Sequence, residues 1–181
     1  TMGEFNWDEL PLGVGINGEP ISFLPGKCPH SVVAGKSGSG KSVLQRNILI
    51  HTLQHPEWNV ILIDPKRVEL SMYKDADGVI KYAVSEETMN EALEFALEEM
   101  SNRYALMEQQ GVAFYRRLPD PPNALLVMID EAASLLLETG DKEIDTLKKR
   151  NKVIVGRIAR EGRAAGVHLV LATQRPDAKW L

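Results

Sequence analysis

Gly35-Lys36-Ser37-Gly38-Ser39-Gly40-Lys41-Ser42 has the G-x-x-x-x-G-K-[ST] spacing of a phosphate-binding loop. Glycines at 35, 38 and 40 let the chain fold back so that backbone N–H groups point at phosphate oxygens. Lys41 is spaced to reach β- and γ-phosphates, and the Ser42 hydroxyl to ligate Mg²⁺. Val43 begins the run with helical character, which aims its positive end at the same anion. The β-prone run His30–Ala34 leads in. Residues 35–43 therefore read as the binding site of a nucleoside triphosphate, ATP with Mg²⁺.

A second cluster of chemistry lies about ninety residues further on, where Leu125–Ile129 is followed by Asp130-Glu131. An apolar run ending in two acids is the Walker B pattern. Taken alone, it is also an ordinary strand end before a helix-start acid pair. Behind a complete phosphate loop, Asp130 reads as the Mg²⁺ partner and Glu131 as the group that orients and deprotonates the attacking water. Gln174 follows the last apolar run, where a polar side chain meets the γ-phosphate or the water. Arg157, Arg160 and Arg163 recur at every third position near a helix C-terminus, where cations favour the helix dipole. An arginine on such a rigid helix also suits a finger reaching a neighbouring subunit's γ-phosphate. Asp64-Pro65-Lys66-Arg67 reads as a proline turn with flanking charges, and Lys148–Lys152 as a solvated basic helix face rather than a DNA contact.

These residues need a scaffold, and the spacing of apolar residues supplies one. Val60–Ile63 and Leu125–Ile129 are continuous apolar runs of the kind buried on both faces of a parallel sheet, with His168–Ala172 as the last strand and Val79–Val84 a weaker one. The loop's helix is expected to end near His51–Gln54, ahead of Pro56. Glu86–Gln110 is amphipathic, with Met89, Leu93, Ala96, Leu97, Met100, Tyr104 and Met107 at three- and four-residue spacing. Ser85 caps that helix and Gly111 stops it. A long helix spans Glu143–Ala165, with Gly156 as a candidate bend and Gly166 as its stop. Near the start, Val14–Ile16 and Ile21–Leu24 flank a turn and predict a small hairpin. Alternating strands and helices give an α/β class with a mostly parallel β-sheet, helices on both faces and ligands at the carboxyl ends of the strands.

Composition narrows the partners. The chain has 181 residues, 44% hydrophobic and 25% charged, enough for one well-buried domain. One cysteine, Cys28, makes no internal disulfide, which suits a reducing compartment, and cytoplasmic placement is expected. Four scattered histidines give no zinc spacing. A formal net charge of −4 excludes a broad basic coat for nucleic acid, though not a few cations concentrated in a pore.

The blocks Pro29–Gly35, Ser37–Ser42, Ile63–Ser71, Glu99–Tyr104, Ile129–Glu131, Arg163–Leu169 and Leu171–Pro176 resemble, in order, the FtsK/SpoIIIE DNA translocases. The resemblance runs from about residue 12 to the end. It implies a RecA-like motor that hydrolyses ATP and pumps double-stranded DNA through a hexameric ring. It assigns Lys41 and Ser42 to phosphates and Mg²⁺, Asp130 and Glu131 to metal and water, and Gln174 to γ-phosphate sensing. Arg163 falls on the trans-acting finger, and Arg175 where the first pore loop touches the DNA backbone. Phosphate contacts carry little sequence information, so translocation is expected to be largely sequence-independent. Residues 1–27 form a β lead-in on the core, and residues 28–181 the motor domain.

Departures from the family pattern are a longer Glu138–Lys152 segment and Asp177 after Arg-Pro. The sequence stops at Leu181, before the family's further pore elements. Neither a winged-helix reader of DNA sequence nor a membrane anchor is visible, so a stand-alone soluble motor, from a bacterium, phage or mobile element, is expected. Competing readings are a helicase-like motor on single-stranded or branched DNA, a type VII secretion-like ATPase moving protein, and a nucleotide-binding scaffold.

Overall fold

The computed structural model describes residues 9–174. Seven strands and four α-helices follow one another as β1 (Leu10–Val14), β2 (Pro20–Phe23), β3 (His30–Ala34), α1 (Lys41–Leu53), β4 (Trp58–Ile63), β5 (Val79–Ala83), α2 (Glu86–Gln110), β6 (Ala124–Ile129), α3 (Ala132–Leu136), α4 (Lys142–Ala165) and β7 (Val167–Thr173). The hairpin forms with β1 antiparallel to β2, and its strands lie slightly earlier than the apolar runs suggest. Its Phe23 is buried with Ile48 and Leu49 of α1.

The main sheet is all parallel among its five strands, in the order β3-β7-β6-β4-β5. β6 is buried on both faces because its side chains alternate. Leu125, Val127 and Ile129 pack toward α2 and α4, while Ala124, Leu126 and Met128 pack toward α1 and the hairpin. Local chemistry sets the helix ends. Ser85 Oγ accepts from Thr88 N–H, and the Thr88 hydroxyl oxygen accepts from Ser85 N–H, closing a capping box on α2. Asp141 Oδ1 accepts from the Glu143 and Ile144 N–H groups at the start of α4. α2 and α4 stop at Gly111 and Gly166, at φ 63° and 69°, in the left-handed region that glycine enters most easily. α4 runs unbroken through Gly156.

Parallel strands put all their carboxyl ends on one edge. The phosphate loop follows β3, Asp64 follows β4, Asp130 and Glu131 follow β6, and Gln174 follows β7. Register completes the placement, since Ile63 lies beside Ile129 and Ile129 beside Leu171.

Candidate nucleotide site

Gly40 sits at φ 90° immediately before α1, and Gly38 at φ 79°. A Cβ on Gly35 would lie 2.2 Å from Ser39 Oγ, so the loop closes on itself as tightly as glycine allows. Gly35 N–H donates to Thr173 O, tying the loop to β7. α1 begins without a side-chain cap and without an acid in its first turn, which leaves its positive end to an incoming anion.

Lys41 and Asp130 are 89 residues apart, yet Lys41 Nζ lies 2.8 Å from Asp130 Oδ1, and both are buried. Gln45, one turn into α1, accepts a second bond from the same ammonium at 3.3 Å. Ser42 stands beside Glu69. The Arg46 guanidinium, 2.7 Å from Glu69, and then the Ser42 hydroxyl hold that carboxyl below its usual range. A hydroxyl and a carboxylate are hard oxygen donors suited to Mg²⁺. Among the described residues no cluster of three or more His, Cys, Asp or Glu side chains holds a metal unaided.

Glu131 is 6% exposed, with φ 60°. Its Oε1 accepts from the Thr173 hydroxyl at 2.8 Å and from Gln174 N–H at 3.2 Å, and its Oε2 faces Lys66 Nζ at 3.3 Å. Burial pushes this carboxyl up, but the bonds from Thr173, Gln174 and Lys66 outweigh it and leave the group below its ordinary value. The Gln174 side chain lines the same cavity of about 580 Å³ as Glu131 and Lys66. The arrangement gathers an ionised carboxylate, an amide and the Lys66 ammonium around one cavity, with the carboxylate next in sequence to Asp130, the partner of Lys41.

Sequence spacing alone singles out neither Lys66 nor Thr173 as a partner of Glu131. Both partners lie far away in the chain, 65 and 42 residues from the glutamate. The signal for Lys66 was its place just beyond a buried strand, on the ligand edge. The basic run differs more sharply from a solvated face. Lys148 is 2% exposed, 2.9 Å from Glu86, and donates to Ser134 O. Asn151 is buried against Asn90, and Arg150 lies 2.6 Å from Glu94. The i, i+3 repeat that buries Lys148 and Asn151 is the α4 stripe packed on α2. Lys149, 3.6 Å from Glu138, remains on the exposed side.

Arg163 is exposed in the last turn of α4, just before β7. β7 then crosses the whole sheet before reaching Thr173, about 20 Å at the rise of a strand. Arg163 and its own phosphate loop therefore stand on opposite edges. The end of α4 is held firmly. The buried Arg103 donates to Ala165 O at 2.9 Å, Gly166 O at 3.2 Å and Asn123 O at 2.8 Å. The Tyr115 ring fills the space a Gly166 Cβ would need. Arg157 is taken up by Glu161 at 3.0 Å, and Arg160 is exposed. Arg175 lies outside the described residues.

The family model described as the FtsK/SpoIIIE family matches residues 6–120 and 115–178. The DNA translocase FtsK of Streptococcus pneumoniae is 34% identical over 95% of this chain, and that of Treponema pallidum 36% over 92%. The chain spans 24% and 22% of those proteins. Among solved structures, the pCW3 conjugation coupling protein TcpA, as a monomer with ATPgS, is 28% identical with a TM-score of 0.88, covering 97% of this chain and 51% of that one. The cytoplasmic domain of the Thermomonospora curvata type VII secretion ATPase EccC is 25% identical with a TM-score of 0.73, covering 97% of this chain and 22% of that one.

Proposed function

The chain belongs to the FtsK/SpoIIIE family and carries its RecA-like P-loop ATPase core, and from that premise we propose that it is the ATP-hydrolysing part of a motor that moves double-stranded DNA through a hexameric ring. The observation that carries the reading is the convergence at one sheet edge. Lys41 meets Asp130 at 2.8 Å, with Glu131 and Gln174 alongside. In this reading residues 35–43 cradle the triphosphate, and Lys41 exchanges Asp130 for β- and γ-phosphate oxygens. Ser42 and Asp130 would hold Mg²⁺, which neutralises phosphate charge when bound. Glu131 takes a proton from the water that attacks the γ-phosphorus. The bond from that phosphorus to the bridging oxygen breaks, and ADP and inorganic phosphate leave. Gln174 contacts the γ-phosphate or the water and reports hydrolysis.

Arg163 stands on the edge away from its own phosphate loop. A role at the γ-phosphate therefore requires a second copy arranged head to tail, the geometry that closes rings. The relatives named DNA translocase FtsK favour DNA as cargo, with Arg175 touching its backbone. The likeness to the type VII secretion ATPase EccC favours a second reading, a protein cargo. Steady-state ATPase rates with no DNA, single-stranded DNA and duplex DNA separate these. Stimulation by the duplex is expected. A preference for single strands supports a helicase-like motor, and indifference to both supports a protein pump.

A further inference from the structure

Among the described residues two non-glycine residues have positive φ, Arg67 at 57° and Glu131 at 60°. They stand on adjacent loops, those leaving β4 and β6, and the Lys66–Glu131 pair joins the two loops. Left-handed backbone is unfavourable for a residue with a side chain and persists where surrounding contacts hold it. At Glu131 the contacts come from two sides: Thr173 and Gln174 on one carboxylate oxygen, Lys66 on the other.

The platform beneath Lys66 is stiff. Pro65 fixes its own φ, and Arg67 N–H closes a turn onto Asp64 O at 3.1 Å. Asp64 is buried, and its Oδ2 accepts from Leu70 N–H at 3.1 Å, with Leu70 itself in the core. The Lys66 side chain is 46% exposed, so it serves no packing role that would account for its position. A rigid turn thus presents a flexible ammonium to a carboxylate whose place decides where water is held.

We propose that Lys66 is a positioning residue for hydrolysis: it fixes Oε2 of Glu131, so that the carboxylate presents a defined remaining lone pair to the attacking water. The inference rests on the reading of Glu131 as the base. Lys66 acts through Glu131, whereas Lys41 pairs with Asp130 within the phosphate-binding loop's own site. A shift of about 1 Å in a positioned group costs up to about 10²-fold in rate, so loss of one of three tethers should cost less.

Lys66→Met is expected to lower kcat about tenfold, equivalent to about 1.4 kcal/mol of transition-state stabilisation. KM for ATP and the Kd of a non-hydrolysable ATP analogue should stay where they are, and Lys66→Arg should restore most of the rate. An unchanged kcat, or a raised one, overturns the proposal. So does a parallel loss of analogue affinity, which would make Lys66 a phosphate ligand. A crystal structure of Lys66→Met with the analogue and Mg²⁺ gives a readout independent of turnover: Glu131 should leave its place against Thr173 and Gln174, and a carboxylate still seated there contradicts the idea. A wild-type chain without ATPase activity would sink the proposed function instead, and leave the crystallographic test of Lys66 standing.

Discussion

At the carboxyl edge of the sheet the buried site charges meet opposite charges: Lys41 lies on Asp130, and Glu131 on Lys66. At the amino edge the pattern reverses. Arg163 and Arg117 line a cavity of about 290 Å³ together with Phe114, Tyr115 and His168, and among the described residues no carboxylate is in its walls. Two histidines behind that edge are neutral, His168 buried and His30 half-buried. His168, packed 5.1 Å from Trp58 and bonded through Nδ1 to Pro29 O, is pushed down to about 3 by burial, and His30 to about 4 by the same cause. One edge is thus closed in on itself electrostatically, while the other presents cations outward in a chain whose formal net charge is −4. The contrast is what the proposed function expects of a molecule that carries two halves of one site, facing away from each other.

The largest expected effect breaks the outward half. Arg163→Ala should lower turnover about 10³-fold or more, the scale of a lost arginine finger. Because Arg163 is exposed, its stability in urea should hardly change. Equal losses of activity and stability would mean that the residue only terminates α4.

A smaller effect sharpens the difference in buried charge. His168 is neutral when folded and protonates readily when unfolded, so unfolding takes up protons once the pH falls below about 6.5. Stability is therefore fully present at pH 7 and declines as the pH falls toward the folded value of about 3. Between pH 7 and pH 5 the loss is about 2 kcal/mol from this residue, and His30 adds a loss of the same sign. The carboxylates of the other edge, held low at Glu69 and Glu131, add theirs only below about 4.5. Urea unfolding at pH 7 and pH 5 measures the difference, and His168→Phe should remove about half of it, the remainder belonging to His30. A slope as steep in that variant as in the wild type would place the proton uptake elsewhere.

The smallest effect lies in the scaffold of the carboxyl edge. Ser85→Ala opens the capping box of α2 and should cost about 1 kcal/mol in thermal or urea unfolding. ATP affinity should remain as it was, because the cap touches no residue of the phosphate loop.

Much of this was legible in the sequence because it is local. The phosphate loop, the apolar strands and the α2 stripe are patterns within a few turns of chain, and the limits Glu86–Gln110 follow from Ser85 and Gly111. What was not legible depends on long-range register. Nothing near Lys66 announces that Ile63 will lie beside Ile129, yet that pairing brings the lysine to Glu131. Lys148 reads as one cation in a basic run until α4 turns it toward Glu86 on α2. The orientation of Arg163 likewise follows from β7 crossing the sheet, which no local pattern carries.

The most direct test of the account mixes two inactive variants, Glu131→Gln and Arg163→Ala, under conditions where the wild-type chain turns over ATP. One keeps the finger and lacks the base; the other keeps the base and lacks the finger. If neighbouring copies complete each other's sites, the mixture recovers ATPase activity that neither variant has alone. A mixture as inactive as its components, with both variants shown to co-assemble, would contradict a site shared between two copies.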